Sequence, residues 1–108
     1  MKYRVEVSAR AEHDLHEIVT YLSEREPAAA EAWLDAFERA VASLASYPRR
    51  CRPLPEVSDL LADVRQVLVG PYRVIFAIEP AASTPPRGVG RVVVLHVRHA
   101  ARSGLGPV

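Results

Sequence analysis

Apolar side chains fall at alternate positions in KYRVEV, residues 2–7, where Tyr3, Val5 and Val7 share one side and Lys2, Arg4 and Glu6 the other. That period of two predicts a half-buried strand. The period then lengthens. After Ser8, which suits a helix N-cap, Ala11, Leu15, Ile18, Val19 and Leu22 recur at helical spacing, with Glu12 and Asp14 placed early to complement the helix dipole. Pro27 separates this helix from a second one and suits its first turn, where a missing N–H costs nothing. Ala30, Trp33, Leu34, Phe37, Ala40, Val41 and Leu44 form the second apolar stripe. Joined by SEREP, the two helices are expected to fold back as an antiparallel hairpin.

Residues 47–59, YPRRCRPLPEVSD, carry no sustained period and read as a loop. VRQVLV (64–69) and YRVIFAIE (72–79) flank Gly70-Pro71 and predict a β-hairpin. Residues 80–90, PAASTPPRGVG, read as a connection and RVVVLHV (91–97) as the last strand, which leaves 98–108 as a flexible tail. The order β-α-α-β-β-β predicts a single α+β domain over residues 1–108, with the helical hairpin packed on one face of a small, mostly antiparallel sheet.

Alternation assigns faces. Tyr72, Val74, Phe76 and Ile78 are expected to meet the helices, leaving Arg73, Ile75, Ala77 and Glu79 on an open side. On the last strand Val93, Leu95 and Val97 are expected to face the core, so His96 and Arg98 join Arg73 on the open side. Either Arg65 or Gln66 must point inward or sit at an edge; an outward Arg65 joins the same cluster.

Composition sharpens this picture. The formal net charge is only +1, but residues 1–46 hold 5 basic against 9 acidic side chains and residues 47–108 hold 9 against 4. The basic character is local, and nearly all of it is arginine, whose planar guanidinium grips phosphates or carboxylates with paired hydrogen bonds. Arg73, Arg98 and the loop residues Arg49, Arg50 and Arg52 are therefore expected to line a basic concavity suited to phosphate or an acidic protein surface. Cys51 has no second cysteine with which to form a disulfide or a CxxC motif. No segment approaches a membrane span, and the N-terminus alternates and then turns charged, unlike a signal peptide. The expectation is a soluble, cytoplasmic protein without a membrane anchor.

His96 and His99 are candidates for acid–base chemistry, because imidazole titrates near neutral pH. His13 and His16 lie near Glu17 but lack a third firm ligand, so no metal site is expected. No phosphate-cradling glycine motif or nucleophile elbow is present, and no cofactor is expected.

The segments YRVEVSARAEHDLHEIVTYL, YPRRCRPLPE, VRQVLVGPYRVIFAIE and VVVLHVRHAAR, taken in order, resemble the RelE/ParE superfamily of type II toxin-antitoxin systems, the plasmid stabilisation family. The resemblance covers almost the whole chain. It implies a small cytoplasmic toxin neutralised by a cognate antitoxin in a hetero-oligomer, the antitoxin bringing a DNA-binding domain and a segment that folds onto the toxin. RelE-like members cut mRNA on the ribosome; ParE-like members inhibit DNA gyrase without being hydrolases.

Laid on this sequence, the hairpin arginine of the RelE-type centre falls on Arg73. Its two lysine positions fall on Val64 and Gln66, which cannot stabilise a phosphorane. Its C-terminal arginine falls near Ala100, with Arg98 and Arg102 as displaced substitutes, and its tyrosine near Gly106. RNA cleavage needs a proton acceptor, a proton donor and cations for the transition state, and guanidinium serves only the last role. A ribonuclease here must use His96 or His99 with Arg73. The resemblance therefore favours ParE-like gyrase inhibition, with a ribosome-dependent endoribonuclease as the alternative and an inactive antitoxin-binding member as the second. Arg65, Arg73, Arg98 and Arg102, with Arg49, Arg50 and Arg52, are the candidate target- or antitoxin-binding residues.

Overall fold

A computed structural model describes residues 3–55, 63–79 and 90–100. In chain order the elements are β1 (Tyr3–Val7), α1 (Ala9–Arg25), α2 (Pro27–Ser43), a single 3-10 turn (Pro48–Arg50), β2 (Arg52–Pro53), β3 (Asp63–Val69), β4 (Tyr72–Glu79) and β5 (Gly90–His99). They form an α+β arrangement in which two helices cover a five-stranded sheet of order β1-β5-β4-β3-β2. β1 runs parallel to β5, and the other neighbours are antiparallel.

Ser8 starts α1 as its sequence position requires: its Oγ accepts the Ala11 N–H at 3.1 Å and donates to the Leu95 carbonyl at 3.2 Å. One hydroxyl thus satisfies an orphan helix donor and ties the helix to β5. The expected five-residue connection shrinks to Glu26. Its N–H closes α1 on the Leu22 carbonyl and its carbonyl opens α2, accepting from Ala29 and Ala30. Ser23, Glu24 and Arg25 simply continue the first helix, because none of them breaks it and Pro27 already supplies the second start.

The helix stripes meet one side of the sheet. Ile18, Trp33, Phe37 and Leu44 close over Tyr72, Val74, Phe76, Ile78, Val92, Val94 and Val97. Trp33 organises this core: its ring lies 5.6 Å from Phe37 and 5.2 Å from Tyr72, and its Nε1–H donates to the Val69 carbonyl at 3.0 Å. That bond fixes the hairpin turn, where Gly70 takes φ 57°, a conformation that favours glycine.

Several expectations need correcting. The 47–59 segment is not all loop, since it holds the 3-10 turn and β2, which pairs with Arg65 and Gln66. The last strand extends through His99 instead of ending at Val97. The second side of the sheet is not open throughout: Ile75 and Ala77 are buried there with Leu54 and Val64, and Leu95 packs against them. Leu95 changes sides because β5 carries a bulge, with Ile75 opposite His96 but Phe76 opposite Val94. The extra residue resets the alternation, so Val92, Val94 and Val97 face the helices and Val93 does not.

Candidate functional site

The strand register places the candidate arginines. Arg73 on β4 stands directly opposite Arg98 on β5, and Leu68 on β3 stands opposite Arg73 on its other side. Gln66 occupies the same face two residues before Leu68, accepts a hydrogen bond from Arg73 Nη1 at 3.3 Å, and lies across from Arg52 on β2. Arg52, Arg73 and Arg98 therefore share the side of the sheet away from the helices. Like charges directly opposite in an antiparallel pair are unfavourable.

Arg65 is not part of this group. It pairs with Phe76, whose side faces the helices, and its guanidinium is spent on local structure. Nη1 donates to the carbonyls of Arg49 at 2.7 Å and Cys51 at 2.9 Å, while Nε reaches Asp63 at 3.1 Å. Arg49 joins the same Asp63 carboxylate at 2.7 Å. Arg50 reaches the Tyr47 carbonyl and Ser43 Oγ. These three residues clamp the segment between α2 and β2, and the register alternation leaves only Arg52 of the loop arginines with the Arg73 side. Burial pushes the Cys51 thiol above its ordinary range, opposed by the nearby Arg50 and Arg65 charges. Arg102 lies outside the described residues, as does position 106.

The two histidines part company. The bulge carries His96 to the sheet margin beside α1, where its Nδ1 lies 3.9 Å from Asp14 Oδ2, beyond hydrogen-bond range. Asp14 is engaged elsewhere, accepting the Val97 N–H at 3.0 Å and Arg10 Nε at 3.2 Å. His96 Nδ1 is buried without a hydrogen-bond partner among the described residues, and burial holds its imidazole below the usual range. The Arg10 and Arg98 charges add to that lowering and Asp14 opposes it. His99 lies opposite Tyr72, its ring edge-on at 5.2 Å, on the helix side. Arg73, His96 and His99 thus have separate surroundings. On the first helix, His13 sits 3.5 Å from Glu17, and no cluster of metal-ligating side chains occurs among the described residues.

Between α1 and the ends of β4 and β5 opens a groove of about 780 Å³. Ile18, Leu22, Trp33, Tyr72 and Val97 supply its apolar lining. Arg10, Asp14, Arg98 and His99 bring charge and polarity to it. Its size and mixed lining suit a peptide segment with apolar anchors and polar groups between them.

Sequence reasoning assigns no site role to Leu68, to Gln66 beyond its place in the strand, or to Asp14 beyond its place at the start of α1. Leu68 had a signal, because three consecutive apolar residues, Val67-Leu68-Val69, cannot all face inward on a strand. Asp14 had none, since its role depends on the bulge. Among the described residues no helix is long and apolar enough to cross a membrane. The profile of the family described as ParE toxin of type II toxin-antitoxin system, parDE, matches residues 5–104. No curated protein matches the chain.

Proposed function

Because this chain belongs to the ParE toxin family of type II toxin-antitoxin systems, we propose that it arrests growth in the cytoplasm by docking on DNA gyrase, and that a cognate antitoxin neutralises it by occupying the groove and the Arg73–Arg98 side. The observation that supports docking over catalysis is the separation of the candidate catalytic groups. Arg73 reaches Gln66 on one side of the sheet, His99 packs on Tyr72 on the other, and His96 turns to Asp14 at the margin. Strand cleavage by 2′-OH attack needs a base, an acid and a cation around one phosphate. A docking surface needs only complementary shape and charge.

The purified toxin is expected to stop supercoiling by purified gyrase. Substituting His96→Ala or His99→Ala should leave growth arrest intact. Undisturbed supercoiling together with codon-positioned cuts in translated mRNA would instead establish the ribonuclease. Absence of growth arrest on induction would identify an inactive member that only binds its antitoxin.

A further inference from the structure

Past Val94 the outer edge of β5 has no strand beside it among the described residues, because β1 ends at Val7, the partner of Val94. α1 takes over that edge with two side chains. Ser8 Oγ donates to the Leu95 carbonyl at 3.2 Å, and Asp14 Oδ2 accepts the Val97 N–H at 3.0 Å. These contacts bracket His96 and fall where β5 carries its extra residue. The Asp14 side chain is only 11% exposed, and its other oxygen accepts Arg10 Nε at 3.2 Å from one helical turn back. A carboxylate held in this way does for Val97 what the carbonyl of a neighbouring strand would do.

The bulge needs such a holder, because local interactions oppose it. It leaves His96 Nδ1 buried without a hydrogen-bond partner among the described residues, 3.9 Å from Asp14 Oδ2. It also sets Arg98 directly opposite Arg73, like charge against like. Moving residues 96–99 by one place would remove the extra residue and separate the two arginines. His96 would then stand opposite Val74 and Arg98 opposite Tyr72, each on the helix side of the sheet. Two things resist that slip: the burial of Val97 in the core and the bond from Val97 to Asp14.

We propose that Asp14 is a positioning residue for Arg98: by holding the Val97 N–H it confines residues 96–99 to the bulged pairing, and so keeps Arg98 on the side of the sheet that carries Arg73 and Arg52. Without this carboxylate the end of β5 divides between the bulged pairing and the slipped one, in which Arg98 passes to the helix side. One position on the first helix thereby decides how charge is shared between the two sides of the sheet. That Arg98 serves in docking rests on the function proposed above; the pairing does not, and it is read on the strand itself whatever the toxin binds.

Nuclear magnetic resonance of the full ¹⁵N,¹³C-labelled chain is the test. Because the Val97 N–H points away from β4, Val74 and Val97 form a non-hydrogen-bonded pair, close enough for a strong cross-strand Overhauser effect between their Hα atoms. The unaltered protein should show that contact, and its Val97 amide should exchange as slowly as the paired amides of β4. Asp14→Ala should weaken the contact and add one between Val74 and His96. It should also speed Val97 exchange roughly 10- to 100-fold, the loss expected for a hydrogen bond to a charged group. Asp14→Asn keeps a weaker, uncharged acceptor. It should retain the Val74–Val97 contact alone, with Val97 exchange selectively faster by a few-fold. An Asp14→Ala chain with only the Val74–Val97 contact and unchanged Val97 exchange would overturn the inference, leaving Val97 burial to fix the strand. Uniformly faster exchange across β4 and β5 with no Val74–His96 contact would overturn it as well, since that marks a general loss of stability. Should Asp14→Ala fail to fold, Asp14→Asn decides: Val97 exchange equal to that of the unaltered chain would sink the proposal.

Discussion

At the scale of single residues, His96 gives the most direct handle. Its folded-state pKa lies below the ordinary value of 6.5, so the unfolded chain takes up the proton more readily. Stability is complete above that ordinary value and falls as pH drops from it toward the lower folded pKa. Urea unfolding from about pH 7.5 to about pH 5.5 should show the loss, and His96→Gln should flatten this part of the profile. Arg73 offers a contrast. Held by Gln66 on a partly covered face, it supports little apolar packing. Arg73→Ala should abolish most of the growth arrest while the melting temperature moves by only a few degrees, of the order expected for ~1 kcal/mol. A large fall in melting temperature would make Arg73 a structural residue instead.

Individual elements test how the fold is closed. Gly90 opens β5 opposite Tyr3, and a Cβ there would lie 2.6 Å from the Tyr3 ring and 2.9 Å from the Glu79 carbonyl oxygen. The ring can tilt but the β4 backbone cannot, so Gly90→Ala should cost about 1–3 kcal/mol in chemical denaturation. Ser8→Ala removes both the α1 cap and the Leu95 bond, and should cost about 1 kcal/mol in the same measurement. The helices and the hairpin were legible because each keeps one period and carries its own punctuation: Ser8, Pro27 and Gly70-Pro71. The bulge was not legible, since RVVVLHV is apolar enough to pair in either register. That one inserted residue moved Leu95 to the other side and His96 to the margin. Arg73 and Arg98 stand together as alternation implied because both lie beyond the bulge, where β4 and β5 are in step. Arg65 depended on its pairing with Phe76, which no local pattern reveals.

Over the whole molecule, charge follows the layers. Residues 1–46, which build β1 and the helices, are net acidic, and residues 47–108, which build the other strands, are net basic. This layering would draw an acidic partner segment to the sheet and away from the helical roof. Titration of the toxin–antitoxin complex with sodium chloride should weaken it steadily, and the Arg73→Ala, Arg98→Ala double variant should show a shallower salt dependence. Unchanged salt dependence in that variant would remove the arginine pair from the interface. The parallel pairing of β1 with β5 joins Tyr3 to Gly90, and Arg91 spans from Glu6 on β1 to Glu79 on β4. Among the described strands β1 comes first in the chain and its neighbour in the sheet, β5, comes after all the others. A nascent chain therefore cannot close its sheet over β1 until β5 has left the ribosome, and folding of this layer waits on its most distant pairing.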